Sequence, residues 1–259
     1  MRRWAGTEIG MGSRIMAKQF WVGLLFVALG AAGSASAGLF GGGAATDAEL
    51  EGIQRMAVVS LLGDSFHGVS IGMTVFQNKA YDASVPAWDM NTEVTGEALR
   101  TIGLRGRIPA EALKLGELSV ASLYKKAKDT DVSREGVQTL LALAKEQGNE
   151  ALLLIQQTDG GENSPFHRPG FGLFRRSAFG MTMQCVYVSF RMVLYRVDTG
   201  KVIARAWQEP CTTGRDQWVW KSAWDQYSAE EQKAFQTAVR EQFFGIVDMH
   251  LDEMKLLKP

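Results

Sequence analysis

Two rhythms of apolar and polar residues run along this chain. Met56 to Leu62 (MAVVSLL) is a short apolar run without a polar face, as expected of a strand buried on both sides. After the turn signal Gly63-Asp64, residues His67 to Val75 alternate. Val69, Ile71, Met73 and Val75 face one way, and Gly68, Ser70, Gly72 and Thr74 the other. This predicts a second strand, hairpinned to the first. Helical spacing follows over Glu93 to Ile102 and, more weakly, over Ala110 to Lys128. Ser133 can cap a clearer helix, with Val137, Leu140, Leu141 and Ala144 on one face and Gly148 ending it. Ala151 to Gln156 (ALLLIQ) is another buried strand.

The best-specified stretch is Met181 to Pro210. Val197-Asp198-Thr199-Gly200-Lys201 suits a three-residue hairpin loop with Gly200 in the left-handed position. Pairing Val197 with Lys201 puts Val186, Val188, Phe190, Met192 and Leu194 on one face with Val202, Ala204 and Ala206. It also sets Arg191 opposite Trp207. The last element is a long helix that opens on a capping box, Ser228 and Glu231, and runs to about Leu257. Its apolar stripe is Phe235, Val239, Phe243, Ile246, Met254 and Leu257. No internal repeat and no strong linker divide the chain. The expected fold is a single α+β domain over 53–259, with a mixed sheet of about five strands packed by helices and a long C-terminal helix.

The N-terminus carries a different message. Arg14 and Lys18 precede a 13-residue apolar run, Phe20 to Ala32, which leads to Ala35-Ser36-Ala37. These are the three parts of a cleavable secretory signal, so residues 1–37 are read as signal peptide, cut between Ala37 and Gly38, with a retained membrane anchor as the rival reading. Residues 38–52 then form a flexible lead-in, and the protein is periplasmic or secreted. Cleavage removes four basic residues (Arg2, Arg3, Arg14, Lys18) and one acid (Glu8), so the 28:28 balance becomes 24:27. Weak net acidity offers nothing to nucleic acid, whose ligands carry a basic stripe.

An exported chain with two cysteines is expected to join them. Across the hairpin register Cys185 and Cys211 share a face two positions out of step, and Pro210 invites a bulge that closes the gap. The 25 enclosed residues imply about 3 kcal/mol of stabilisation. His67, His167 and His250 show no metal-ligand spacing with these thiols, so neither metal nor cofactor is expected.

Three segments invite a functional reading. The stretch VVSLLGDSFHG resembles the first block of GDSL-type esterases, in which the serine after a buried strand is the nucleophile; Ser65 would hold that place, with Asp248 and His250 as the distal pair. Against this, the family follows its serine with helix and spaces its pair D-x-x-H. Here the pair is D-x-H on a helix, about 200° apart, with His250 inside the apolar stripe. The 22 residues from Asp159 to Gly180 read as a long loop holding Phe166, Arg168, Phe171, Phe174, Arg175, Arg176 and Phe179. Such phenylalanines either fold back as a packed loop or await a partner, and with arginines among them that partner would be a protein carrying carboxylates or an anionic membrane surface. Third, Trp218, Trp220 and Trp224 either cover the core or stack on a small ligand or glycan.

Taken in order, MAVVSLL, the helix SREGVQTLLALAKEQG, the strand ALLLIQ and the paired strands ending YRVDTGKVIARA resemble a group of bacterial envelope domains. The group comprises the curli-secretion lipoprotein, the penicillin-binding-protein activator lipoproteins and the N-terminal domain of TolB. The resemblance spans Arg55 to Trp207, and its motifs signal fold, not an active site. It departs in lacking a lipid-accepting cysteine and in having a strand where the relatives have helix. The resemblance implies a non-catalytic accessory or assembly role, with envelope proteins as partners; no functional residue transfers.

Overall fold

Strand β1 (Met56–Leu61) forms where the apolar run predicts it, with all six residues buried, and runs parallel to β5 (Ala151–Gln157). The computed structural model describes residues 43–125, 131–158, 168–208 and 218–259. All of these belong to one compact unit, Ala37–Pro259. No described helix is long and apolar enough to cross a membrane.

The next strand departs from expectation. β2 (Ser65–Ile71) does not fold back on β1; it pairs antiparallel with β3 (Lys79–Ser84) and parallel with β6 (Gly170–Ala178). The Gly63-Asp64 signal marks a kink, because other elements satisfy its backbone. The Leu62 N–H donates to Asn91 Oδ1 at 2.6 Å, and the Asp64 carbonyl accepts from the Val85 N–H at 2.7 Å. The alternation also stops early. Side chains of Asn78 and Gln77 accept from the Gly72 and Met73 N–H groups, ending the strand and leaving Met73 and Val75 exposed.

Strand β7 (Met181–Arg196) organises the sheet. Residues 181–189 pair with β6, and residues 190–196 pair with β5. The sheet is therefore two sectors joined along one strand. One sector holds β3, β2 and β6; the other holds β5, β1 and the short edge strand β4 (Ala110–Ala112). β8 (Val202–Gln208) flanks β7 in the second sector. The sheet is mixed, as expected, but has eight strands among the described residues, not five. Those missed were β3, with only Ala83 buried, the three-residue β4, and β6, whose glycines read as loop. β4 lies in the segment 110–128 expected to be helical. Pro109 and Gly116, the latter at φ +58°, bracket it instead as extended chain, and a 3-10 turn follows at Val120–Leu123.

The β7–β8 hairpin keeps the predicted register from Phe190 to Leu194, including Arg191 opposite Trp207. Gly200 adopts φ +67°, and its N–H donates to the Arg196 carbonyl at 2.8 Å. A bulge then pairs Tyr195 with Val202 while Leu194 pairs with Ala204. The extra residue, Ile203, turns inward in place of Val202, which is exposed.

Helices cover both faces. α2 (Met90–Arg105) and α4 (Ala229–Glu253) bury Val94, Ala98, Phe235, Val239 and Phe243 against one face, in a core shared with Phe66, Phe171 and Phe190. On the other, α3 (Arg134–Glu146) packs Leu140, Leu141 and Ala144 over Val59, Leu152 and Leu154. Ser133 caps α3 by accepting from the Gly136 N–H at 2.9 Å. The Ser228–Glu231 capping box of α4 forms, and the helix ends at Glu253, four residues short of the expected limit. Part of the expected flexible lead-in is ordered. Thr46 and Glu49 form a capping box at the short helix α1 (Asp47–Leu50), and Gly43 bridges to Arg205.

Candidate functional site

The segment 159–180 is not one loop. Gly170–Ala178 is β6, and alternation sorts its side chains by face. Phe171 enters the core under α4, while Phe174 is buried on the other face with Val69, Cys185 and Tyr187. These two phenylalanines are core and leave the expected contact surface. Phe166 lies outside the described residues. Arg168 pairs with Asp82 at 2.6 Å. What remains of the expected surface is at the strand's far end: Arg175, Arg176 and Phe179.

That end carries a feature the sequence reading missed. β2 and β6 are parallel, so the turn after β2 and the β6–β7 turn stand at the same end of the sheet. The first exposes Met73, Val75 and Phe76; the second exposes Phe179, Met181 and Met183. Phe76 is 94% exposed and Phe179 85%, the latter in the left-handed region at φ 52°. Neither segment, 72–79 or 174–183, contains an acid, while Lys79, Arg175 and Arg176 supply three cations. Solvent-facing phenylalanines and methionines in two adjacent turns form an apolar tip, of the kind that marks interaction surfaces. The sequence signal bearing on its first half was the alternation through Met73 and Val75, beyond the point where β2 ends.

The hydrolase residues are not brought together. Phe66 belongs to the core under α4, so its neighbour Ser65 points to the opposite face. His250 is on the α4 side, 1% exposed, with its ring 5.8 Å from Phe190 and Nδ1 3.0 Å from Glu253. Asp248 forms an ion pair with Arg105. The sheet therefore separates Ser65 from His250, and Asp248 serves neither.

Another histidine is set in a polar network. His67 Nδ1 lies 2.7 Å from Asp82 across the β2–β3 pair, and Arg168 Nη1 donates to both Asp82 oxygens at 2.6 Å. Burial holds the His67 pKa below the ordinary histidine value despite its carboxylate neighbour. Burial pulls Asp82 upward, but His67 and Arg168 outweigh it and leave that pKa below the usual carboxylate value. His250 is likewise depressed by burial, which outweighs Glu253. With both imidazoles depressed in the fold, the unfolded chain binds protons first as pH falls below about 6.5. Stability is therefore full above that pH and declines through the window down to the folded values. Urea midpoints at pH 7.5, 6.0 and 5.0 should fall in that order. His67→Gln with His250→Gln should flatten the trend, and a rising midpoint would refute the assignment.

The tryptophans pack on the core. Trp218 stacks on Phe235 at 4.7 Å, Trp224 lies 4.8 Å from Phe66, and Trp220 sits 5.4 Å from Tyr81. Cys185 is fully buried and no described cysteine is free; Cys211 lies outside the described residues. Among the described residues no cluster of His, Cys, Asp and Glu is placed to hold a metal ion.

No protein-family model and no curated protein matches the chain. Solved structures do show likeness. The PelC dodecamer protein from Paraburkholderia phytofirmans is 10% identical, with TM-score 0.35 over 80% of this chain and 90% of that one. The LpoB C-terminal domain from Salmonella enterica is 12% identical, with TM-score 0.25 over 62% and 86%. Lipoprotein GNA1162 from Neisseria meningitidis is 13% identical, with TM-score 0.29 over 74% and 99%. Scores this low assign no function to this chain.

Proposed function

We propose that this protein is an exported cell-envelope accessory domain that acts by binding other proteins, without catalysis. The observation that carries this reading is the apolar tip formed by Phe76 and Phe179 with Met73, Val75, Met181 and Met183, beside cations and without an acid. Large apolar side chains cost little to bury in a partner when they already stand in water, and such anchors dominate binding energy. The cations select a partner surface carrying carboxylates. Export through residues 1–37 and a Cys185–Cys211 disulfide belong to the same proposal: they place the domain in an oxidising compartment and staple the strand that ends at the tip.

The test uses the full precursor expressed with export. The purified product should begin at Gly38 and weigh two hydrogens less than its dithiol form. A photo-crosslinker replacing Thr74, which is exposed and makes no capping hydrogen bond, should then capture a defined envelope protein. The pair Phe76→Ser and Phe179→Ser should weaken that partner's binding at least about tenfold with an unchanged melting curve, since both rings are exposed. Undiminished binding by the double variant would remove the tip from the interface. Flotation with anionic vesicles in the absence of any crosslinked protein would reassign the tip to a membrane surface.

A further inference from the structure

Beside the tip, on the α4 face, lies an open cleft of about 620 Å³ whose floor is a row of residues fixed by strand register. Ser70 on β2 pairs with Lys79 on β3 and with Arg175 on β6, so the three side chains stand abreast on one face. Ser70 is only 7% exposed, and what remains of its surface lines the cleft. The next residue in the row is Gln184, opposite Arg175 on β7; its side-chain oxygen is buried and without a partner among the described residues. Lys79 and Arg175 form no ion pair among the described residues. Lys221, the third cation on the wall, is already bound to Glu231 at 2.6 Å. Among the described residues no acid lines the cleft, and Trp220 and Phe76 supply aromatic surface.

Two cations that form no ion pair among the described residues flank a hydroxyl facing the cleft, so the row offers donors and positive charge to whatever enters it. The volume exceeds that of a simple ion and falls in the range of a ligand-sized pocket. We infer that this cleft binds a carboxylate of an acidic peptide segment, with Arg175 and Lys79 donating to it and Ser70 Oγ–H completing the set. An adjacent aromatic or aliphatic side chain of the peptide lies against Trp220 and Phe76. This rests on the reading that the tip receives a protein, and it names the chemistry of that partner. The guanidinium supplies planar, paired donors to the carboxylate, and Lys79 adds a point charge.

Calorimetric titration with two capped tetrapeptides, Gly-Phe-Asp-Gly and Gly-Phe-Asn-Gly, reads the inference directly. The Asp peptide should bind at least about tenfold more tightly, because the Asn peptide matches its shape without its charge. Combining Lys79→Gln with Arg175→Gln should abolish the discrimination, and Ser70→Ala should reduce it, in proteins whose melting curves match wild type. Equal binding of the two peptides, no binding, or discrimination surviving the double variant would overturn the inference. So would displacement by inorganic phosphate at the same concentration as peptide, which would leave an anion site without peptide recognition. The two readings fail separately. Phe179 does not line the cleft, so Phe179→Ser should spare the tetrapeptides while weakening the protein partner. If the partner is insensitive to the tip but the tetrapeptides still discriminate, the tip reading falls and the cleft stands. If the partner needs the tip and is captured equally by the Lys79/Arg175 variant, the cleft falls.

Discussion

Phe66→Ala lowers unfolding stability by about 3–5 kcal/mol, the range for emptying a fully packed aromatic site. The ring joins elements distant in sequence. It lies 5.6 Å from Trp88, 4.8 Å from Trp224 and 5.3 Å from Phe235, with Phe171 at 6.5 Å, and it is completely buried. Removing it leaves a cavity beneath the start of α4 that these large rings cannot collapse into without breaking their own contacts. Phe66→Leu should recover more than half of the loss. Urea unfolding decides the matter, and a deficit below about 1 kcal/mol would mean that the surrounding rings repack.

Gly172→Ala is the second severe change, costing about 3 kcal/mol. A Cβ at this position would stand 1.9 Å from the His67 carbonyl oxygen, which is backbone and cannot swing aside. β2 and β6 would have to part where they pair, disturbing the tip and the Ser70 row together. Gly103 provides the contrast. Its Cβ would meet nothing within 4 Å on helix α2, so Gly103→Ala should raise stability by roughly 0.5 kcal/mol. If both substitutions shift the thermal midpoint in the same direction, close approach of the strands is not what requires glycine at 172.

What could be read in advance follows from how local each signal is. β1, β5 and α3 were legible because their patterns are dictated by burial on both faces or on one stripe, and the β7–β8 hairpin because Gly200 sets its turn. The direction of β2 was not legible. Whether Gly63-Asp64 reverses the chain depends on Asn91 and Val85, which arrive later in sequence. β6 was hidden by composition: Gly170 and Gly172 read as loop residues, yet the second is needed where two strands approach closely. The residues expected together on one contact surface were accordingly divided between core and surface. Phe171 and Phe174 went inside, Arg175, Arg176 and Phe179 stayed near the surface end, and Phe76 joined them through a parallel pairing with no local signature.

Strand β7 also sets a distance. Its 16 residues have a contour of about 50 Å, with Met181 at the tip end and Arg196 at the other. Arg196 donates to the carbonyl oxygens of Glu49 and Glu51, so the earliest described part of the chain is fastened at the pole away from the tip. The apolar turns and the start of the described chain therefore stand apart by roughly the length of one strand, and shortening β7 would bring them together.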